Sequence, residues 1–257
     1  MNYPFLKIGD KLPAVGVLQK LLNRTGAALQ VDGDFGSRTQ AAVQHFQRNR
    51  HLSPDGKVGQ NTWPRLVAGV SLPIIDCIDV WDPDLYQLER RDIIRVGGNP
   101  IVIGGMCNGV EHAVQQIVSA ARNIFLLRFH GHGAPGTASI ATGRGELDPN
   151  MVERSDIALS NLATIRPIIR RLSTIFGPYG CVQFMHCKTG RGPNGRSMLN
   201  QISLDIGVPV SAGIWDQLGG GLTTFAFEGP TYTAVHGGSS LGGWCRARPD
   251  FAGFTPA

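Results

Sequence analysis

The chain has 257 residues, 42% apolar and 17% charged, which suits one domain of ordinary size plus a small one and excludes bulk disorder. Its 24 Lys and Arg exceed its 19 Asp and Glu, and the whole excess lies in residues 1–69, where nine basic side chains face four acidic ones. Such scattered charges make no nucleic-acid stripe, though they suit a polyanionic matrix, and no stretch is long and apolar enough to span a membrane.

Residues 1–10, MNYPFLKIGD, hold no apolar signal core, so any export is expected to use a route needing no such signal, or the signal is absent from this sequence. Val15, Leu18, Leu21 and Leu22 then mark one helical face, which Pro13 can open. Two turns of one form follow, VDGDFGSRT at 31–39 and PDGKVGQNT at 54–62, sharing D-G-x-apolar-G-x-x-T at an offset of 23 residues. Asp-Gly permits a tight turn, and Thr39 and Thr62 stand where helix caps are expected. Ala42, Val43 and Phe46 mark a second helix, and Trp63 with Leu66 a short closing one.

The run LKIGDKLPAVGVLQKLLN, followed by VDGDFGSRTQAAVQHFQRNRHLSPDGKVGQNTWPRL, resembles the peptidoglycan-binding domain family, a three-helix module of bacterial and phage wall hydrolases. The resemblance implies a non-catalytic domain over residues 1–69 that holds peptidoglycan at the repeated turns. Asp34, Phe35, Arg38 and Thr39 are the candidate groove residues, with core packing the competing role for Phe35. Gln47 and Trp63 read as structural.

Residues 70–257 read as a second, α/β domain. Strands are expected at 73–80, 100–106, 123–131, 181–187 and 208–215. Helices are expected at 110–121, capped by Asn108, at 160–176, kinked at Pro167, and at 195–207. Residues 81–97 read as irregular, 133–149 as a glycine-rich excursion and 221–236 as a hairpin. Alternating strands and helices predict a mostly parallel sheet with ligands beyond its carboxyl ends.

Two of those ends carry chemistry. LLRFHGHGAPG ends the third strand at His130 and His132, and VQFMHCKTGRG ends the fourth at His186 and Cys187. If the strands are neighbours, their tips lie roughly 5 Å apart. Lys188, Arg191, Arg196 and the amino end of the next helix would favour a Cys187 thiolate. His132, flanked by glycines, is the preferred base, and the amides of Gly133 and Cys187 are the oxyanion donors. His186 should face away from Cys187.

The two tips resemble the caspase-like superfamily of cysteine peptidases, in which a strand ends in His-Gly and the next strand in the nucleophilic cysteine. The resemblance, over about residues 73–216, implies a caspase-like sheet flanked by helices, with His132 and Cys187 as a dyad acting without a cofactor. It also implies a substrate pocket walled by the first and fifth strands, near Asp79, Ser211 and Asp216, acidic enough to favour a basic side chain. The doubled HGH and the His before Cys187 depart from the family pattern.

Two alternatives stay open. His130, His132 and His186 could ligate zinc in a wall amidase, or the second domain could be a non-catalytic scaffold. The glycine runs lack a phosphate-loop lysine, so no nucleotide site is expected. Five cysteines, odd in number and without repeated spacing, do not form a disulfide scaffold. The expected partners are peptidoglycan and a peptide or protein substrate, with neither nucleic acid nor membrane, and the expected place is the cell wall, outside the cell or in the periplasm.

Overall fold

The computed structural model describes residues 1–104, 109–140 and 156–251. Cys107, the Asn108 cap and the part of the glycine-rich excursion after residue 140 lie outside the described residues.

Three helices form the N-terminal unit: α1 (Pro13–Arg24), α2 (Ser37–Asn49) and α3 (Trp63–Leu66). Pro13 occupies the first turn of α1, where its missing N–H costs nothing. Leu18, Leu21, Leu22, Phe35, Val43 and Trp63 are sealed in the core. The repeated turns are each pinned by one buried glutamine. Gln19 Nε2 donates to Asp32 Oδ1, the Asp34 carbonyl and Thr39 Oγ1, while its Oε1 accepts from the Gly33 amide. Gln47 repeats the pattern with Asp55 Oδ1, the Lys57 carbonyl, Thr62 Oγ1 and the Gly56 amide. Thr39 and Thr62 are therefore acceptors for these glutamines rather than helix caps. Thr39 lies inside α2, and Thr62 precedes α3 without a side-chain capping bond.

The second unit is a six-stranded sheet in the order β2 (Ile101–Ile103), β1 (Ile74–Asp79), β3 (Ile124–His130), β7 (Phe176–Phe184), β8 (Val210–Gly213), β9 (Thr231–Ala234). The first five strands run parallel and β9 pairs antiparallel with β8. Beyond β3, a small antiparallel sheet joins β4 (Gly133–Ala134), β5 (Thr137–Ser139) and β6 (Asp156–Ala158). The helices are α4 (Pro83–Arg95), α5 (Gly109–Ala120), α6 (Leu162–Arg170), α7 (Gly192–Ile206) and α8 (Leu241–Ala247).

All seven residues of β3 are buried, and beyond an irregularity between Ile124 and Leu126 they alternate between two layers. Leu127 and Phe129 join the cluster formed with α5, α6 and α7. Phe125 and Leu126 join Tyr179, Cys181, Met185 and Phe251 in one apolar cluster with Leu6, Leu18, Phe35 and Trp63 of the N-terminal unit. The three-helix unit thus helps cover the sheet's second face. Helix α8 packs on α1 so closely that a Cβ on Gly16 would stand 2.4 Å from Cys245 Sγ.

Several elements differ from the sequence expectation. Residues 81–97 contain α4, whose inward face carries Glu89 and Asp92 as well as Ile93, so it shows no apolar period. The expected hairpin at 221–236 is instead a 3-10 turn, Gly221–Thr224, followed by β9, which pairs with β8. The long helix over 160–176 ends at Arg170 and tightens into a 3-10 turn, Arg171–Thr174. Among the described residues, no helix is long and apolar enough to cross a membrane.

Candidate functional site

Strands β3 and β7 are adjacent and parallel, with Phe129 opposite Phe184. The Met185 amide donates to the Phe129 carbonyl at 2.8 Å, extending the pairing past the strand end. His132 and Cys187 lie two and three residues past the ends of these strands, both at the carboxyl end of the sheet. Glycine is required at the crossing: a Cβ on Gly133 would lie 2.5 Å from Thr189 Oγ1 and 2.7 Å from the His186 Cβ.

His132 is partly exposed, with its Nε2 3.0 Å from Asp82 Oδ2 and its ring edge-on to Trp81 at 5.1 Å. Asp82 is also the N-cap of α4, accepting from the Asp84 and Leu85 amides. The Leu85 amide and then the His132 ring hold its carboxyl below the usual range. In the neutral tautomer that donates Nε2–H to this carboxylate, Nδ1 keeps its lone pair.

Cys187 is half-buried in the turn after β7. Its Sγ donates to the Gln217 carbonyl at 3.2 Å and accepts from the Gln217 amide at 3.3 Å. Helix α7 begins five residues later. Of the expected cations, Lys188 is paired with Asp216 at 2.8 Å and Arg196 lies over the Tyr232 ring at 5.5 Å. Among the described residues no hydrogen bond joins the His132 ring to the Cys187 thiol.

The Ser139 amide donates to the His132 carbonyl, making this the hydrogen-bonded pair of the β4–β5 ladder. By the alternation of antiparallel pairs, the Gly133 amide, one residue on, points away from β5. Exposed Trp81, Trp215 and Leu218 stand on the loops that carry Asp82 and Gln217.

The three histidines weighed as zinc ligands are held apart by different partners. His130 is fully buried, with Nε2 3.0 Å from Asp76 Oδ1 and Nδ1 3.5 Å from Glu89 Oε1. Burial alone works against its charge, but the Glu89 and Asp76 carboxylates outweigh it and push the ring up to about 9. Arg128, 2.7 Å from Asp76 Oδ1, completes the cluster. Burial opposes the Asp76 charge too, yet Arg128 and His130 draw its carboxyl down to about 2. Asn2 closes the cluster from the N-terminal unit, donating its side-chain amide to Asp76 and accepting from Arg128. His186 bonds the Ser139 carbonyl at 2.8 Å, and burial lowers it to about 3. Among the described residues no three His, Cys, Asp or Glu are grouped to hold a metal ion.

The expected substrate pocket needs correction at Ser211. Its side chain is sealed inside the sheet, 2.8 Å from Thr233 Oγ1, and reaches no open pocket. Asp79 is buried at the end of β1, where its carboxylate accepts from the Trp81 amide. Asp216 is exposed, held by Lys188. In the N-terminal unit, Phe35 and Thr39 are buried, so neither can line a groove. Asp34 pairs with Lys11 at 2.8 Å and Arg38 is exposed. Asp82 and Gln19 went unremarked in the sequence. Asp82-Pro83-Asp84, a cap followed by a helix-opening proline at the end of a strand, was the available signal for the first.

Residues 11–66 match the family described as "Putative peptidoglycan binding domain". A protein of Kitasatospora aureofaciens, described as an uncharacterized protein in the bpoA1 3′ region, is 46% identical over 65 residues, or 24% of this chain and 55% of its own. The match therefore spans about half the length of that relative. Among solved structures, a peptidoglycan-binding protein from Clostridioides difficile in complex with glutamine hydroxamate is 31% identical over 27% of this chain and 47% of its own, with a TM-score of 0.26. The Burkholderia AP3 phage endolysin is 36% identical over 35% of this chain and 33% of its own, with a TM-score of 0.25. The N-terminal three helices are a peptidoglycan-binding domain, followed in the same chain by a mixed α/β domain.

Proposed function

We propose that the α/β domain is a caspase-like cysteine hydrolase that cuts a peptide or amide bond at the bacterial cell wall, with His132 and Cys187 as its dyad. In this reading the peptidoglycan-binding domain covers residues 1–69 and the hydrolase domain residues 70–257. The observation that carries this reading is the adjacency of parallel β3 and β7, whose carboxyl ends lead into His132 and Cys187, together with the Asp82 carboxylate beside the imidazole. The sheet order, with five parallel strands and an antiparallel sixth, is consistent with the same reading.

The chemistry follows from the atoms present. His132 Nδ1 accepts the thiol proton, and Cys187 Sγ attacks the carbonyl carbon. The Gly133 and Cys187 amides receive the oxyanion. The proton passes to the leaving amine, giving an acyl-enzyme. Water, deprotonated by the same imidazole, then breaks the thioester and restores the thiol. Asp82 acts through His132 by fixing its tautomer and stabilising its charge. Trp81, Trp215 and Leu218 offer an apolar rim for the substrate beside the cleaved bond.

The test is covalent labelling with a peptidyl thiol-reactive probe, read by peptide mapping. Label on Cys187 that is lost in His132→Ala supports the dyad. Equal labelling of several cysteines, or label on Cys187 indifferent to His132, ends the hydrolase reading and leaves a wall-anchored scaffold.

A further inference from the structure

The two pseudo-equivalent turns of the peptidoglycan-binding domain have different surroundings. At the first, a Cβ on Gly33 would meet Leu241 at 2.8 Å and Cys245 Sγ at 3.1 Å, because α8 lies against it. The second opens instead into a cavity of about 280 Å³. Phe5, Asp55, Lys57 and Gln60 of the N-terminal domain contribute to its wall, and Leu222 and Phe225 of the α/β domain complete it.

Its lining has the chemistry of a peptide site. Phe5, Leu222 and Phe225 supply apolar surface. The Lys57 ammonium forms no ion pair among the described residues, and it lies two positions from the Asp55 carboxylate. Gln60 donates to the Tyr3 carbonyl at 2.9 Å, which fixes its amide orientation and leaves its buried Oε1 without a partner. One cation and one anion beside apolar side chains match a short peptide end carrying carboxylate and ammonium groups.

We infer that this composite cavity, shared by the two domains, binds the peptide part of peptidoglycan. The inference rests on the wall-binding assignment of residues 11–66. Leu222 and Phe225 make the subsite a property of the whole chain rather than of the three helices alone.

Calorimetric titration of the intact protein tests it. The probes are a synthetic wall tetrapeptide, the same peptide blocked at both ends, and chitotetraose for the glycan. Purified sacculi are used in parallel. The free tetrapeptide is expected to bind, and Lys57→Ala and Leu222→Asp each to weaken it about tenfold. Arg90→Ala, on the exposed face of α4 and outside the cavity lining, should leave it unchanged. Retained sacculus binding without tetrapeptide binding overturns the inference but keeps the wall assignment. So does chitotetraose binding sensitive to Leu222→Asp, or tetrapeptide binding indifferent to both cavity variants. Loss of sacculus binding by the unaltered protein overturns the assignment itself.

Discussion

Asp82 Oδ2 lies 3.0 Å from His132 Nε2, although the two residues are fifty positions apart in the chain. One carboxylate serves two purposes, capping α4 and aligning the candidate base. Asp82→Asn keeps a capping side chain but loses the charge that steadies an imidazolium. It should leave folding almost unchanged and slow thiol labelling about ten- to hundredfold, with a changed pH profile. Asp82→Ala should show the same rate loss and also cost about 1 kcal/mol of stability. Equal labelling rates in Asp82→Asn and the unaltered protein would remove Asp82 from the site.

The two buried histidines should give stability opposite slopes with pH. His130 titrates near 9 when folded, above the ordinary value of about 6.5, so its contribution is complete below pH 6.5 and disappears as pH rises through 9. His186 titrates near 3 when folded, so the unfolded chain takes up its proton first, and stability falls as pH drops below about 6.5. Asp76, depressed to about 2, adds its loss at still lower pH. Thermal denaturation should therefore peak near neutrality, and His130→Gln should flatten the alkaline limb. A midpoint unchanged between pH 7 and 9 contradicts a charged His130.

The paired glutamines predict a matched pair of losses. Gln19→Ala leaves the Gly33 amide without its side-chain acceptor, and Gln47→Ala does the same to the Gly56 amide. Each should cost about 1–3 kcal/mol in denaturant unfolding. A neutral result for either would mean that its turn is held by the main chain alone.

Gly16 measures how tightly α8 is docked. Ala at this position would place its Cβ 2.4 Å from Cys245 Sγ, an overlap expected to cost about 1–3 kcal/mol. Cys245→Ala removes the sulfur, so the double variant should recover part of the loss. Limited proteolysis near residues 241–247 would report the displaced helix. Strictly additive losses would show that the contact is slack.

Much of the frame is legible in the sequence because burial follows period. The apolar faces of α1 and α2 and the apolar core strands β3 and β7 declare themselves through spacing alone. What stayed hidden depends on partners far along the chain. Glu89 and Asp92 turn inward, with Glu89 meeting His130 and Asp92 meeting Thr224, so α4 carries a polar core face that no apolar pattern reveals. The candidate site was legible as two chemically loaded tips, but Asp82 was concealed by the same missed helix. Phe35 and Thr39 read as groove candidates because they sit in the repeated turn, with core packing the competing role for Phe35, whereas that turn is wrapped around buried Gln19 and both side chains are buried.

Phe125, Leu126, Tyr179 and Phe251 are packed by the residues of the three-helix domain. A wall anchor on a loose tether would let its partner sweep a sphere of positions around each attachment point. Here the anchor is one wall of the other domain's interior, so the angle between the bound wall strand and the sheet's carboxyl edge is fixed by packing. On the proposed reading, a captured strand would present the same neighbouring bonds to that edge, with reach set by geometry rather than by diffusion.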